Sequence, residues 1–324
     1  MRPLSYVRAK PAMPVAGEPL VRRILRGLAR AGVTRTVLNL HHLPETVCAA
    51  VGDPRDLGLS VRYSHEDPVL GSAGGPRRAL PLLEASRFLI VNGDTLSGID
   101  PSALLVEHAR SGALVTLALI PNPSPDRYGG VLVSDDGVVQ GFVRRGTPGP
   151  SWHFVGLQAA EAEVFSGLSP DVPSESVGWL YPKLMAECPG SVRALRTNAE
   201  FLDIGTPADY LDTSLLFAAR AAEGVEAARS APPSAIIGQR CRVAASATVS
   251  RTVLWDDVVV GEGASVKDCV LADGVTIEAG SRFEGVALVR AEGRVPSPGE
   301  RIHGHLLAAP IGRGPLTARG TSDT

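Results

Sequence analysis

The sequence predicts an α/β domain built on a mostly parallel sheet, followed by a short β-helix. Three observations lead there. Residues 18–220 alternate between helical and strand periodicity, and Ala228 to Ala235 then breaks the pattern with Ala-Arg-Ser-Ala-Pro-Pro-Ser-Ala. From Ile237 onward an apolar residue returns every five or six positions. At 324 residues the chain exceeds one typical domain, so two are expected.

Each element has its own local signal. Glu18 to Ala31 sets Leu20, Ile24, Leu25 and Leu28 at helical spacing, and Gly32 closes it. Thr36 to Leu40 reads as a strand, Pro44 to Val51 as a helix, Leu59 to Tyr63 as a strand and Arg77 to Leu83 as a helix. Phe88-Leu89-Ile90-Val91 is an apolar strand that stops at Asn92-Gly93-Asp94. Pro101 to Arg110 is helical and Leu114 to Ile120 a strand. Tyr128 to Val143 reads as a hairpin around Asp135-Asp136-Gly137, and Val177 to Met185 and Pro207 to Ala222 read as helices. This alternation predicts a Rossmann-like, mostly parallel sheet with helices on both faces and a ligand crevice at the carboxyl ends of its strands.

The repeat falls at Ile237, Val243, Val249, Leu254, Val260, Val266, Leu271, Ile277 and Phe283, and Leu288 continues it. Steps of six, six and five make a 17-residue unit, one coil of a β-helix, so about three coils are expected. Exposed coil edges invite capping or pairing with another subunit, hence a homo-oligomer. The predicted organisation is a first domain over residues 1–222, a linker at 223–235 and a left-handed β-helix of hexapeptide repeats at 236–290. Residues 291–324, with Pro296, Pro298, Pro310, Gly312, Gly314 and Pro315, read as a poorly ordered tail.

Composition excludes several classes. A net charge of −2 leaves no electrostatic footprint for nucleic acid or an anionic membrane, so phosphate binding must be local. No run approaches the roughly 18 apolar residues of a membrane span. Met1-Arg2-Pro3-Leu4-Ser5 leads to Lys10-Pro11 without the apolar core of a signal peptide, so a cytoplasmic protein is expected. Cys48, Cys188, Cys241 and Cys269 lie far apart and read as reduced, mostly buried thiols. His41, His42, His65, His108 and His153 read as surface or capping residues. Residues 237–290 contain no His, which argues against a second, acyl-transferring site there.

Four segments suggest phosphoryl chemistry. Lys10-Pro11-Ala12-Met13-Pro14-Val15 holds Lys10 beside prolines, as phosphate neutralisation requires, although such a loop also reads as a surface turn. Leu70-Gly71-Ser72-Ala73-Gly74-Gly75 leads into a helix and lets backbone amides approach a base or phosphate; a tight turn is the alternative. Ile90-Val91-Asn92-Gly93-Asp94 ends a strand in a carboxylate, which suits a metal ligand or a turn residue. Phe201-Leu202-Asp203-Ile204-Gly205-Thr206-Pro207 sets a second carboxylate among apolar neighbours, costly unless paired or metal-bound.

Taken together, Lys-Pro-x-x-Pro-Val-x-x-x-Pro-Leu from Lys10, Leu-Gly-Ser-Ala-Gly-Gly from Leu70, Val-Asn-Gly-Asp from Val91, Arg-Tyr-Gly-Gly from Arg127 and Asp-Ile-Gly-Thr-Pro-x-x-Tyr from Asp203 precede the repeats. That order resembles the nucleotidyltransferase family of sugar-phosphate pyrophosphorylases, most of all bacterial mannose-1-phosphate guanylyltransferases, over roughly residues 2–290. The resemblance implies a nucleoside triphosphate (GTP favoured) and a sugar 1-phosphate (mannose 1-phosphate favoured) as substrates. It implies that Asp94 and Asp203 converge on Mg²⁺, that Lys10 and Asp94 are catalytic, and that Leu70, Gly71, Ser72, Ala73 and Gly74 border the nucleotide. Gly129, Arg145 and Gly156 then lie against the sugar phosphate.

Two departures modify these expectations. The family opens on an apolar strand and a Gly-x-Gly-Thr-Arg loop, and Met1-Arg2-Pro3-Leu4-Ser5 resembles the stretch just after that Arg. This is expected to leave the chain without a triphosphate cradle and nearly inactive until an upstream segment is restored. The family's Phe-x-Glu-Lys reads Phe142-Val143-Arg144-Arg145, so the carboxylate is lost while Arg145 replaces the Lys charge. The alternative expectation is a catalytically silent nucleotide-sugar-binding regulatory homologue.

Overall fold

The structure, a computed structural model, describes residues 1–223 and 235–312. The chain divides into two compact units. One holds Met1–Arg23, Glu45–Val51 and the described residues from Leu202 onward; the other holds Ile24–Pro44 and Gly52–Phe201.

The second unit is the predicted α/β layer. Its strands are β1 (Arg35–Leu40), β2 (Ser60–His65), β3 (Arg87–Val91), β4 (Val115–Pro121), β5 (Trp152–Glu161) and β6 (Val192–Arg196). The β4 run, apolar apart from Thr116, suits a strand covered on both faces, and residues 115–120 are all buried. Val115, Leu117 and Leu119 pack with Phe165, Tyr181 and Val192, while Ala118 and Ile120 pack with Leu104, Leu157 and Ala159, as a two-residue period requires. Strand β6 runs parallel to β4, and β5 runs antiparallel to both β4 and β3. Strands β3, β4 and β6 therefore share one direction. The predicted hairpin is present as Gly130–Val133 paired with Val139–Val143, joined to β5 through Trp152 and Val131. Strands β1 and β2 pair in parallel as a separate two-stranded sheet.

Helix α1 (Gly71–Leu83) begins six residues before its predicted start, so the glycine segment forms its first turn rather than a loop ahead of it. Helix α2 (Pro101–Ser111) starts where predicted. Asp100 caps it by accepting from the Ser102 amide at 2.8 Å, and Gly112 closes it at φ +64°.

His108 corrects the expectation of a surface or capping role, because α2 turns it inward and it is fully buried. Its Nδ1 lies 2.8 Å from Thr116 Oγ1 on β4 and its Nε2 3.3 Å from Glu161 Oε1. Desolvation, then the charge of Arg87, lowers its pKa against the opposing pull of Glu161. The folded pKa lies below the unfolded value, so the unfolded chain takes up a proton first as pH falls. Stability should therefore hold above about pH 7 and decline as pH drops through roughly 6.5. His108→Asn should flatten the change in urea midpoint between about pH 7 and pH 5; an unchanged slope would assign the loss elsewhere.

The first unit carries the repeat. Three parallel ladders stack with a 17-residue register. Val243 pairs with Val260 and then Ile277, Val249 with Val266 and then Phe283, and Leu254 with Leu271 and then Leu288. This is the left-handed β-helix expected from the spacing. Leu254, Val260, Val266, Leu271, Ile277 and Leu288 form its core. The first coil differs: Ile237 is 56% and Val243 36% exposed, because nothing among the described residues stacks on the coil's open end.

The tail reading is corrected for the described residues. Leu306–Pro310 is a strand antiparallel to Val286–Arg290, and Arg301–His303 adds to it. Leu306 and Ala308 enter the coil's core and close its far end. Positions 313–324 lie outside the described residues, as does most of the linker, whose flanks are helix α3 (Pro207–Glu223) and a strand starting at Ala235. Of the cysteines only Cys269 is buried, and burial pushes its thiol up to about 11; Cys188 is exposed.

Candidate active site

In the second unit the glycine segment is packed against its surroundings. The amides of Ala73 and Gly74 both donate to the Ser174 carbonyl, at 2.8 and 3.2 Å. Ser72 Oγ donates to Glu175 Oε2 at 2.7 Å. Gly71 has φ +76°, and a Cβ there would lie 2.7 Å from the Ser174 carbonyl. A Cβ on Gly74 would lie 2.8 Å from the Val172 carbonyl. These glycines are thus required by the approach of residues 172–175 to the start of α1.

Beside that turn lies a carboxylate which sequence reasoning missed. Glu66 is buried; it accepts from Asn39 Nδ2 at 2.5 Å and from the Leu70 amide at 2.8 Å. Gly75 faces the pair, and a Cβ on it would come within 2.6 Å of Glu66 Oε1. A signal existed, since Asn39 falls at the carboxyl end of one predicted strand and Glu66 three residues past the end of another, where an α/β sheet gathers its polar groups.

Asn92, Gly93 and Asp94 form the turn between β3 and the short strand Thr95–Ser97, and Asp94 is half-buried. The structure brings this turn to Gly156. The Asn92 amide donates to the Gly156 carbonyl at 2.8 Å, and Thr95 Oγ1 donates to the Val155 carbonyl at 3.2 Å. Gly156 has φ +81° and sits where β5 shifts register against β4 between Phe154 and Gln158. A Cβ on it would lie 2.5 Å from Asn92 Nδ2. A bulge at such a place re-aims the strand next to the Asp94 turn.

Gly129 and Arg145 share the base of the hairpin: a Cβ on Gly129 would lie 3.1 Å from the Val143 carbonyl, and Arg145 comes two residues later, exposed. Nearby, Tyr128, His153 and Phe201 cluster with Tyr128–His153 and His153–Phe201 centroids 4.3 and 4.9 Å apart. This aromatic wall was not legible from spacing, because its members come from three distant segments.

Lys10 and Asp203 belong to the first unit. Lys10 opens a 3₁₀ turn, Lys10–Ala12, with Pro11 in its first turn. Asp203 ends the strand Phe201–Asp203, and it is half-buried. Gly205 flanks it, where a Cβ would approach Asp203 Oδ2 to 3.0 Å. The next residues form a reciprocal cap for α3. Thr206 Oγ1 accepts from the Asp209 amide at 3.2 Å, and Asp209 Oδ2 accepts from the Thr206 amide at 3.1 Å. Tyr210, one residue on, donates its hydroxyl to the Pro14 carbonyl, which ties the Asp203 motif to the Lys10 segment.

The nucleotidyl transferase family matches residues 1–219, and a GlmU-like C-terminal hexapeptide family matches residues 218–289. The chain is 29% identical over 294 residues to a mannose-1-phosphate guanylyltransferase of Mycobacterium tuberculosis, covering 88% of this chain and 79% of that protein. It is 34% identical over 214 residues to an N-acetylmuramate alpha-1-phosphate uridylyltransferase of Neisseria meningitidis, covering 64% and 88%. Among solved structures, HddC from Yersinia pseudotuberculosis complexed with GMP-PN superimposes with a TM-score of 0.57 at 25% identity, over 64% of this chain and 90% of that one. With two thirds of its length matched, together with the repeats beyond it, the chain belongs to the nucleotidyl transferase family of enzymes.

Proposed function

We propose that this chain transfers a guanylyl group from GTP to mannose 1-phosphate, releasing pyrophosphate and forming a nucleotide sugar. The observation that carries the reading is the Asp94 turn held against Gly156 at the β5 bulge, with a carboxylate and a side-chain-free backbone stretch side by side. The choice of base and sugar rests on the likeness to the mycobacterial guanylyltransferase.

The reaction needs no protein base. A sugar 1-phosphate is ionised near neutral pH, and its oxygen attacks the α-phosphorus in line. One P–O bond forms as the bond to the bridging oxygen of the β-phosphate breaks, and pyrophosphate leaves with that electron pair. What the chain supplies is position and charge. Lys10, restrained by Pro11, neutralises phosphate, and Arg145 meets the phosphate of the sugar. Leu70 to Gly74 border the nucleotide, and Gly129 and Gly156 leave room for the sugar phosphate.

Asp94 and Asp203 offer hard oxygen donors that suit Mg²⁺, and Gly205 leaves the Asp203 carboxylate free of a Cβ on that flank. When bound, the ion would supply further neutralisation of phosphate charge. A cytoplasmic location and assembly of subunits through the β-helix complete the proposal. Among the described residues no helix is long and apolar enough to cross a membrane.

The test is pyrophosphate release across GTP, UTP, ATP and dTTP, each paired with mannose, glucose and N-acetylmuramate 1-phosphates, with Mg²⁺. GTP with mannose 1-phosphate is expected to give the highest kcat/KM. A higher value for another pair would overturn the specificity. Binding of GDP-mannose without turnover of any pair would identify a silent regulatory homologue.

A further inference from the structure

The segment carrying Lys10 is fastened to the β-helix by a side chain two residues before it. Arg8 Nε donates to Asp273 Oδ2 at 2.7 Å, and its Nη2 donates to Asp273 Oδ1 at 2.7 Å and to Asp256 Oδ2 at 2.8 Å. The two carboxylates stand one coil apart. The coil already orients them, because the Asp256 amide donates to Asp273 Oδ1 at 3.0 Å and the Gln239 amide to Asp256 Oδ1 at 2.8 Å. Arg8 meets a preformed acidic fork, and its side chain is only 20% exposed there. Such a bidentate, mostly buried pair holds geometry far better than an exposed ion pair.

A second tether holds the segment's other end. The Arg8 guanidinium lies over the Trp255 ring, 5.3 Å from its centroid. Trp255 is buried, and its Nε1 donates to the Tyr210 hydroxyl at 2.8 Å. That hydroxyl in turn donates to the Pro14 carbonyl. Between the two anchors the backbone folds on itself, with the Ala12 amide donating to Ala9 and the Met13 amide to Lys10, at 2.8 and 3.1 Å. Thr46 Oγ1 accepts from the Ala9 amide at 3.1 Å. Lys10 thus lies in a short span pinned at both ends by residues that also grip the repeat.

We infer that Arg8 is a positioning residue, and that the β-helix carboxylates Asp256 and Asp273 hold the Lys10 turn in the geometry that phosphate neutralisation requires. The inference rests on the reading of Lys10 as a phosphate contact. It gives the repeat a direct part in the reaction, since a change in the coil at residues 255–273 reaches Lys10 through one side chain.

The test uses the full chain with Arg8→Met, Arg8→Lys, Asp273→Asn, Lys10→Ala and the double variant Arg8→Met/Lys10→Ala. Hydrogen exchange is read at the Ala12 and Met13 amides, with Val259 and Ser265 as controls for the coil, since their amides donate to Val275 and Ser281 carbonyls. Arg8→Met and Asp273→Asn should speed exchange at Ala12 and Met13 about tenfold or more while the control amides keep their protection. Arg8→Met should lower kcat by up to about 10²-fold, Arg8→Lys should recover part of it, and Arg8→Met should add nothing once Lys10 is Ala. Unchanged exchange at Ala12 and Met13, equal loosening of the control amides, or additive losses in the double variant would overturn the inference. Faster exchange in Arg8→Met, with turnover and GTP affinity unaffected by Lys10→Ala, would instead remove the catalytic reading of Lys10 and leave the mechanical link standing. The exchange measurement decides that link without any need for turnover.

Discussion

Asp94→Asn and Asp203→Asn are each expected to lower nucleotidyl transfer about 10²–10³-fold, with little change in stability. The amide matches the carboxylate in size, so packing is kept while one negative charge and its affinity for a divalent cation are lost. Both residues are half-buried, Asp94 in a turn and Asp203 at the end of a short strand, so neither change opens a cavity. Mn²⁺ affinity, read by electron paramagnetic resonance as loss of the free-ion signal, should fall in both single variants alike. Full turnover of either single variant at low Mg²⁺ would refute the metal-ligand role proposed for that residue.

The second large effect concerns the coil. Ile277→Ala should destabilise the β-helix by about 2–5 kcal/mol, whereas Val243→Ala should change it by less than about 1 kcal/mol. Both stand in one ladder, Val243 stacked on Val260 and Val260 on Ile277. Their environments differ: Ile277 is 1% exposed and Val243 36%. The transfer and cavity costs therefore apply in full at one end of the ladder and only in small part at the other. Urea unfolding followed by far-ultraviolet circular dichroism would show this as unequal midpoint shifts. Equal shifts would mean that the first coil is as well covered as the third.

Much of the fold is legible because its signals are local. The apolar run around Val115–Ile120, the Asp135-Asp136-Gly137 turn and Pro101 after Asp100 each specify an element through neighbouring residues alone. The start of α1 reads too late because glycine weakens the helical signal, while tertiary hydrogen bonds from Ala73 and Gly74 to Ser174 support that first turn. His108 reads as a surface residue because a lone His at helical spacing does not announce which face it takes. The strand Leu306–Pro310 is hidden by prolines and glycines around it, although Leu306 to Ala309 is an apolar run long enough to pair. At the candidate site, the Asp94 turn stands out as a motif and Gly156 enters through the family resemblance, whereas Glu66 and the contact of Tyr128 with His153 and Phe201 do not show in the sequence.

The sequence by itself determined the 17-residue ladder, the alternation of helices and strands, and the family motifs, since periodicity and turn chemistry act over a few residues. Tertiary structure alone decided which polar groups meet. Arg8 finds Asp273 across 265 positions, Tyr210 finds Pro14 across 196, and Ser72 finds Glu175 across 103. No local propensity encodes such pairs. Where these bonds are buried, as those of Arg8 and Tyr210 partly are, a charged or polar group is costly until partnered, and the partner available is set by where the fold brings the chain.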